Sequence, residues 1–159
     1  MAYASVLEDA LESVRSYFED YAESYLQGIE AAKADGISLE SMRMITTADV
    51  DPYEATEYPM CNLVLDEYEQ EEETVNFDSA RTRVAAIVAI NKGSKDTIRT
   101  KLYRYAEAFR EMLRDARDNG VDAWVVDFDE PIRIQVFVTP TESVKVALLR
   151  FAVLQHIQA

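Results

Sequence analysis

Met60–Ile90 reads MCNLVLDEYEQEEETVNFDSARTRVAAIVAI, and the fold turns on how its two halves relate. Met60–Tyr68 is rich in β-branched and aromatic residues. Thr74–Ile90 alternates at Val75 and Phe77, then runs apolar through Val84–Ile90. Both segments predict strands. Between them Glu69, Gln70, Glu71, Glu72 and Glu73 form a highly charged connection. Two strands joined by a short polar segment predict an antiparallel hairpin whose acidic tip projects into solvent.

Upstream, Ser5 and Glu8 make an S-x-x-E capping box that opens a helix over Ser5–Asp35, with Gly36 as its stop. Leu7, Leu11, Val14, Phe18, Tyr21, Tyr25, Ile29 and Ala32 recur by threes and fours, so the helix is amphipathic and needs a surface to dock on. Ile37–Pro59, carrying Pro52 and Pro59, reads as a connector with a short possible strand at Arg43–Thr47. Downstream, Ser94 is the expected N-cap of a second helix running to Asp118 and stopping at Asn119-Gly120. On it Ile98, Leu102, Tyr105, Phe109, Met112, Leu113 and Ala116 share one arc. Val121–Phe128, Ile132–Val138 and Val144–Ile157 read as extended, the second as a half-buried strand and the third as a strand rather than a helix. The expected fold is one α+β domain over residues 1–159, an antiparallel sheet packed against two amphipathic helices in the order α-β-β-α-β-β-β. Its parts are helix 5–35, connector 37–59, and a sheet over 60–159 that includes helix 94–118.

The composition, 48% hydrophobic and 29% charged over 159 residues, is that of a globular chain. No apolar run approaches a membrane span, and the acidic start MAYASVLED does not read as a signal peptide, so an intracellular origin is expected. The lone Cys61, embedded in an apolar strand, reads as a small hydrophobe. The lone His156 excludes two-histidine mechanisms. Gly28, Gly36, Gly93 and Gly120 stand too far apart to cradle a phosphate, and no G-x-S-x-G occurs. Asp49 and Asp51 alone are too few oxygens for calcium. The best enzyme-like cluster is Asp122, Asp127, Asp129 and Glu130, suited in residue type to metal-assisted hydrolysis. It lacks a following E-x-K lysine, and Asp129-Glu130-Pro131 reads as a turn, so no catalytic residue, metal or cofactor is expected.

Charge is distributed unevenly. Residues 1–80 carry a net −17 and residues 81–159 a net +3, within an overall −14. The acidic half disfavours contact with nucleic-acid phosphates and favours a basic partner. On the second helix Arg99, Arg110, Arg114 and Arg117 form a ridge beside the apolar arc, while Tyr21 and Tyr25 edge the first helix. An acidic finger, Glu69, Glu71, Glu72 and Glu73, and a basic ridge on one chain suit head-to-tail self-assembly.

The series of helix 5–35, strand NLVLDEY, acidic EQEEE, long strand RTRVAAIVAI, helix TIRTKLYRYAEAFREMLRDA and closing strands resembles the tail-terminator or tail-completion proteins of long-tailed bacteriophages. The connector over residues 37–57 is longer than that pattern. The resemblance implies a non-enzymatic virion protein of the tail or neck, assembled in the bacterial host cytoplasm. It implies a homo-oligomeric ring, hexameric, that ends tail-tube growth and meets the tube protein on one side and the head connector on the other. DNA would be passing cargo and no membrane would be involved. The interface residues this points to are Glu69, Glu71, Glu72, Glu73, Arg99, Arg110, Arg114, Arg117, Tyr21 and Tyr25. An acidic DNA mimic that inhibits a nucleic-acid-binding protein is the alternative from a different class, and a metal-dependent hydrolase is a third.

Overall fold

The computed structural model describes residues 6–72, 77–94, 96–119, 124–126, 130–137 and 143–158. Their elements are α1 (Val6–Lys33), β1 (Met44–Thr46), β2 (Met60–Glu72), β3 (Phe77–Ile90), α2 (Ile98–Asn119), β4 (Trp124–Val126), β5 (Arg133–Phe137) and β6 (Lys145–Gln158). The class is α+β, with a six-stranded sheet in the order β1-β2-β3-β6-β4 and β5 also paired to β6. The short segment in the connector is a strand in its own right, so the order is α-β-β-β-α-β-β-β. It pairs parallel with β2, Met44 opposite Met60, which makes the sheet mixed rather than antiparallel throughout. Residues 47–59 are long enough to carry the chain back to the same end of the sheet, as a parallel neighbour requires.

The hairpin of β2 and β3 forms as expected, but β2 continues through Glu72, so residues 69–72 of the charged run are strand rather than connection, and the expected tip lies outside the described residues. The register sets Glu69 opposite Arg81 and Tyr68 opposite Thr82. Opposite charges facing across antiparallel strands favour continued pairing. The register slips between Leu65 and Glu67, leaving Asp66 as a bulge. β6 is a strand over its whole length, pairing with β3 from Lys145 to Gln158. Along its other side β5 faces Val146–Arg150 and β4 faces Val153–Gln155, so two short strands share that edge. β5 is more exposed than its alternating pattern predicted: Arg133, Ile134, Gln135 and Phe137 are all exposed and Val136 is half-buried. An edge position explains this, since only β6 shields it among the described residues.

Strand alternation sends Cys61, Leu63, Val84, Ala86, Val88, Leu149, Phe151 and Val153 to the helix side, where they form the main core. The expected arc of α2, Ile98 through Ala116, is buried there in full. On α1 the buried line runs through Ala10, Val14, Phe18, Ala22 and Leu26, while Leu7 and Tyr21 lie exposed. Alanines at two of these positions let the helix approach the sheet, which a bulky tyrosine at the same place would not. Phe18 stands 5.5 Å from Phe109 and 6.4 Å from Phe151, joining both helices to the sheet.

The end of α1 differs in chemistry from the expectation, and the start of α2 agrees with it. α1 ends at Lys33, and the first left-handed residue is Ala34 at φ 47°, ahead of Gly36 at φ 81°. The regular turns of α2 begin at Ile98 and Ser94 caps them as expected: its carbonyl accepts the Ile98 N–H at 3.0 Å and its N–H donates to the Thr97 hydroxyl at 3.1 Å. Asp35, just past α1, is clasped by Arg104 of α2, whose Nη1 donates at 2.8 Å. That guanidinium holds the Asp35 carboxyl well below its ordinary value, at about 2.

The connector is placed by Tyr105, whose hydroxyl donates to the Glu40 carbonyl at 2.6 Å. Beyond it the chain crosses to the other side of the sheet. There Met44, Val50, Ala55 and Tyr58 pack on Met60, Ala89, Val144 and Val146 in a second, smaller core. Only that end of the second face is covered among the described residues, and the rest of it carries the groups considered next.

Candidate functional site

Because Val84 and Phe151 face the helices, Arg83, Ala85, Arg150 and Ala152 face the opposite way. The alanines are nevertheless buried, at 4% and 0% exposure, beneath longer neighbours. Arginine stems cover apolar surface while their charged ends remain in water. The arginines meet three carboxylates. Nε of Arg83 donates to both oxygens of Glu130 at 3.1 Å, and its Nη1 lies 3.0 Å from Glu67. Nε of Arg150 is 3.5 Å from Asp66, the bulge residue. Arg81 reaches Glu130 at 3.9 Å. Arg133 sits directly opposite Arg150 across β5 and β6, and no ion pair engages it among the described residues.

Asp66, Arg83, Glu130, Pro131, Arg133 and Arg150 line an open groove of about 470 Å³. Two guanidinium groups at directly opposite cross-strand positions repel, and an anion placed between them relieves that cost. Arginine presents its donors as a planar fork that fits carboxylate in pairs. In a chain of net charge −14, this groove gathers three arginines into one place. The arrangement can hold an acidic group.

The residues singled out from sequence are placed as follows. Glu69, Glu71 and Glu72 lie on the far part of β2, and Glu73 lies outside the described residues. Arg110 and Arg114 both turn to Glu111, at 3.1 and 3.2 Å, and are exposed. Arg99 is exposed on the first turn of α2, and the side chain of Arg117 lies outside the described residues. Tyr21 is exposed and stands 4.9 Å from the ring of Tyr17. Tyr25 is half-buried between the helices, where its hydroxyl donates to Asp115 at 2.6 Å. Its pKa is raised, first by burial and then by that hydrogen bond. Tyr17 donates to the Met112 carbonyl at 2.7 Å, and burial pushes its hydroxyl up to about 12. Of the carboxylate cluster, Glu130 is bound to Arg83, while Asp122, Asp127 and Asp129 lie outside the described residues. Cys61 is fully buried and burial raises its thiol pKa.

The sequence matches no protein-family model and no curated protein. No helix among the described residues is long and apolar enough to cross a membrane.

The groove escaped sequence reading because its members come from β2, β3, β5, β6 and the segment before β5, joined only by strand register. A signal was present: Arg81, Arg83, Arg133 and Arg150 stand in otherwise apolar strands, and a charge inside a strand marks the face that is not core.

Proposed function

We propose that the chain is a structural subunit that acts by contact with copies of itself. In this reading it forms a ring at the head-proximal end of a phage tail tube, where it ends tube polymerisation and joins tail to head. The supporting observation is that one sheet carries two unlike surfaces. One is the acidic far end of β2, with Glu69, Glu71 and Glu72; the other is the arginine groove at β5 and β6, where Asp66 and Glu67 pair with Arg150 and Arg83, and Arg133 has no ion pair among the described residues. A head-to-tail ring needs two different, complementary patches on each subunit, whereas a two-fold dimer needs one self-complementary patch.

We assign the receiving role to the groove because its Arg133, without an ion pair among the described residues, lies on β5 at the edge of the sheet, whereas Arg110 and Arg114 of the α2 ridge share Glu111. The ridge is then a second exposed basic surface, available to a tube or connector protein. The DNA-mimic reading calls for an uninterrupted acidic face, and the arginine groove is a cationic break in the sheet's open surface. Light scattering over a range of concentration and salt tests the ring. A discrete multimer that weakens as salt rises is the expected result, because exposed charge pairs are screened beyond about 10 Å at 0.1 M. A chain that stays monomeric throughout, or that displaces DNA from a basic protein as a monomer, overturns it.

A further inference from the structure

We infer that neighbouring copies join by strand addition, the free edge of β2 in one copy pairing antiparallel with the free edge of β5 in the next. This rests on the ring reading and specifies its contact. β1 pairs only with Met60–Asn62, so among the described residues β2 has no strand beside it from Leu63 to Glu72. At the far end of the sheet, β5 pairs only with β6 among the described residues. Open edges present unpaired backbone N–H and C=O groups, and stable monomers blunt them with charge, proline or cover. Among the described residues nothing covers the outer edge of β5, which bears Ile134 at 40% and Phe137 at 39% exposure and a single charge, Arg133. Leu65, at 37%, is exposed on the β2 side.

The two edges are complementary and neither complements itself. Val64–Glu72 contains five carboxylates and no cation, whereas β5 contains one arginine and no carboxylate. Pairing β2 with β2 would set acid against acid, and β5 with β5 would set Arg133 near its own copy; like charges directly opposite destabilise a strand pair. Chain direction agrees. β2 is antiparallel to β3, β3 to β6 and β6 to β5, so β2 and β5 run in opposite directions within one subunit. Copies related by rotation about an axis along the strands then meet antiparallel, the more stable pairing. A carboxylate from the arriving β2 would supply Arg133 with the anion it lacks among the described residues.

Crosslinking of the full chain tests this. The variants Glu67→Cys and Gln135→Cys each place a thiol on one exposed edge, and buried Cys61 stays unreactive toward a short bis-maleimide. The expected result is no covalent dimer from either variant alone, a dimer from their mixture, and a ladder of covalent oligomers from the double variant, with its highest rung at the ring size. In parallel, Arg133→Glu should raise the concentration for half-assembly about tenfold or more, equivalent to about 1.4 kcal/mol, and Arg133→Lys much less. A multimer that persists by mass without mixed crosslinks, or a single variant that crosslinks to itself, overturns the edge contact and leaves the ring standing. A parent chain that is monomeric at every concentration overturns both.

Discussion

The two ends of β3 share one strand geometry and have opposite surroundings. From Val84 to Ile90 it is covered on both faces: Val84, Ala86 and Val88 meet the helices, and Ala89 meets the connector's small core. From Arg81 to Arg83 only the helix side is covered, and the arginines emerge on the other. The continuous apolar run and the alternating Arg-Thr-Arg are therefore one rule seen under two degrees of cover. Where cover is complete the residues hold the fold. Where it stops, they turn to charged neighbours on the open face of the sheet.

The largest effect should come from the covered side. Phe109→Ala removes the ring that packs on Phe18 and Tyr105, and it should cost about 3–5 kcal/mol by urea unfolding. On the open side, Arg150→Ala loses a pair whose partners are about half exposed, so its effect on subunit stability should stay within about 1 kcal/mol while assembly weakens. Equal losses of stability from the two variants would erase the distinction drawn between the faces.

A pH series sharpens it further. Asp35 is held at about 2, against 3.8 for a free carboxyl, by Arg104. Its contribution to stability is present in full above 3.8 and is lost as pH falls toward 2. The stability gap between the parent and Asp35→Asn should therefore be constant near neutrality and close in that acid window, measured by chemical denaturation at each pH. A gap that is unchanged at pH 2 would mean that the clasp does not depend on charge.

Much of this architecture was legible from periodicity. The arc on α2, the hairpin and the strand nature of β6 depend on local pattern, and the core took them up as read. What escaped was set by distant partners. Three residues, Met44–Thr46, carry too little pattern to announce a parallel strand that closes across residues 47–59. The acidic run looked like a loop because charge dominates it, yet Arg81 lies opposite Glu69. On α1 the buried line passes through Ala10 and Ala22, whose small side chains are weak signals, while exposed Leu7 and Tyr21 drew the stripe aside. The groove depends entirely on register. Glu130, read as part of a turn, finds Arg83 only because β5 and β3 flank β6.

The most direct test of two unlike surfaces on one subunit is to break one in each of two variants and mix them. Arg133→Glu with Arg150→Glu disables the basic side, and Glu69→Lys with Glu71→Lys disables the acidic side. Each should be monomeric by native mass spectrometry, and the mixture should regain a multimer that alternates the two variants, because the reversed surfaces complement each other as the native ones do. A mixture that stays monomeric, or a variant that assembles alone, would contradict the account.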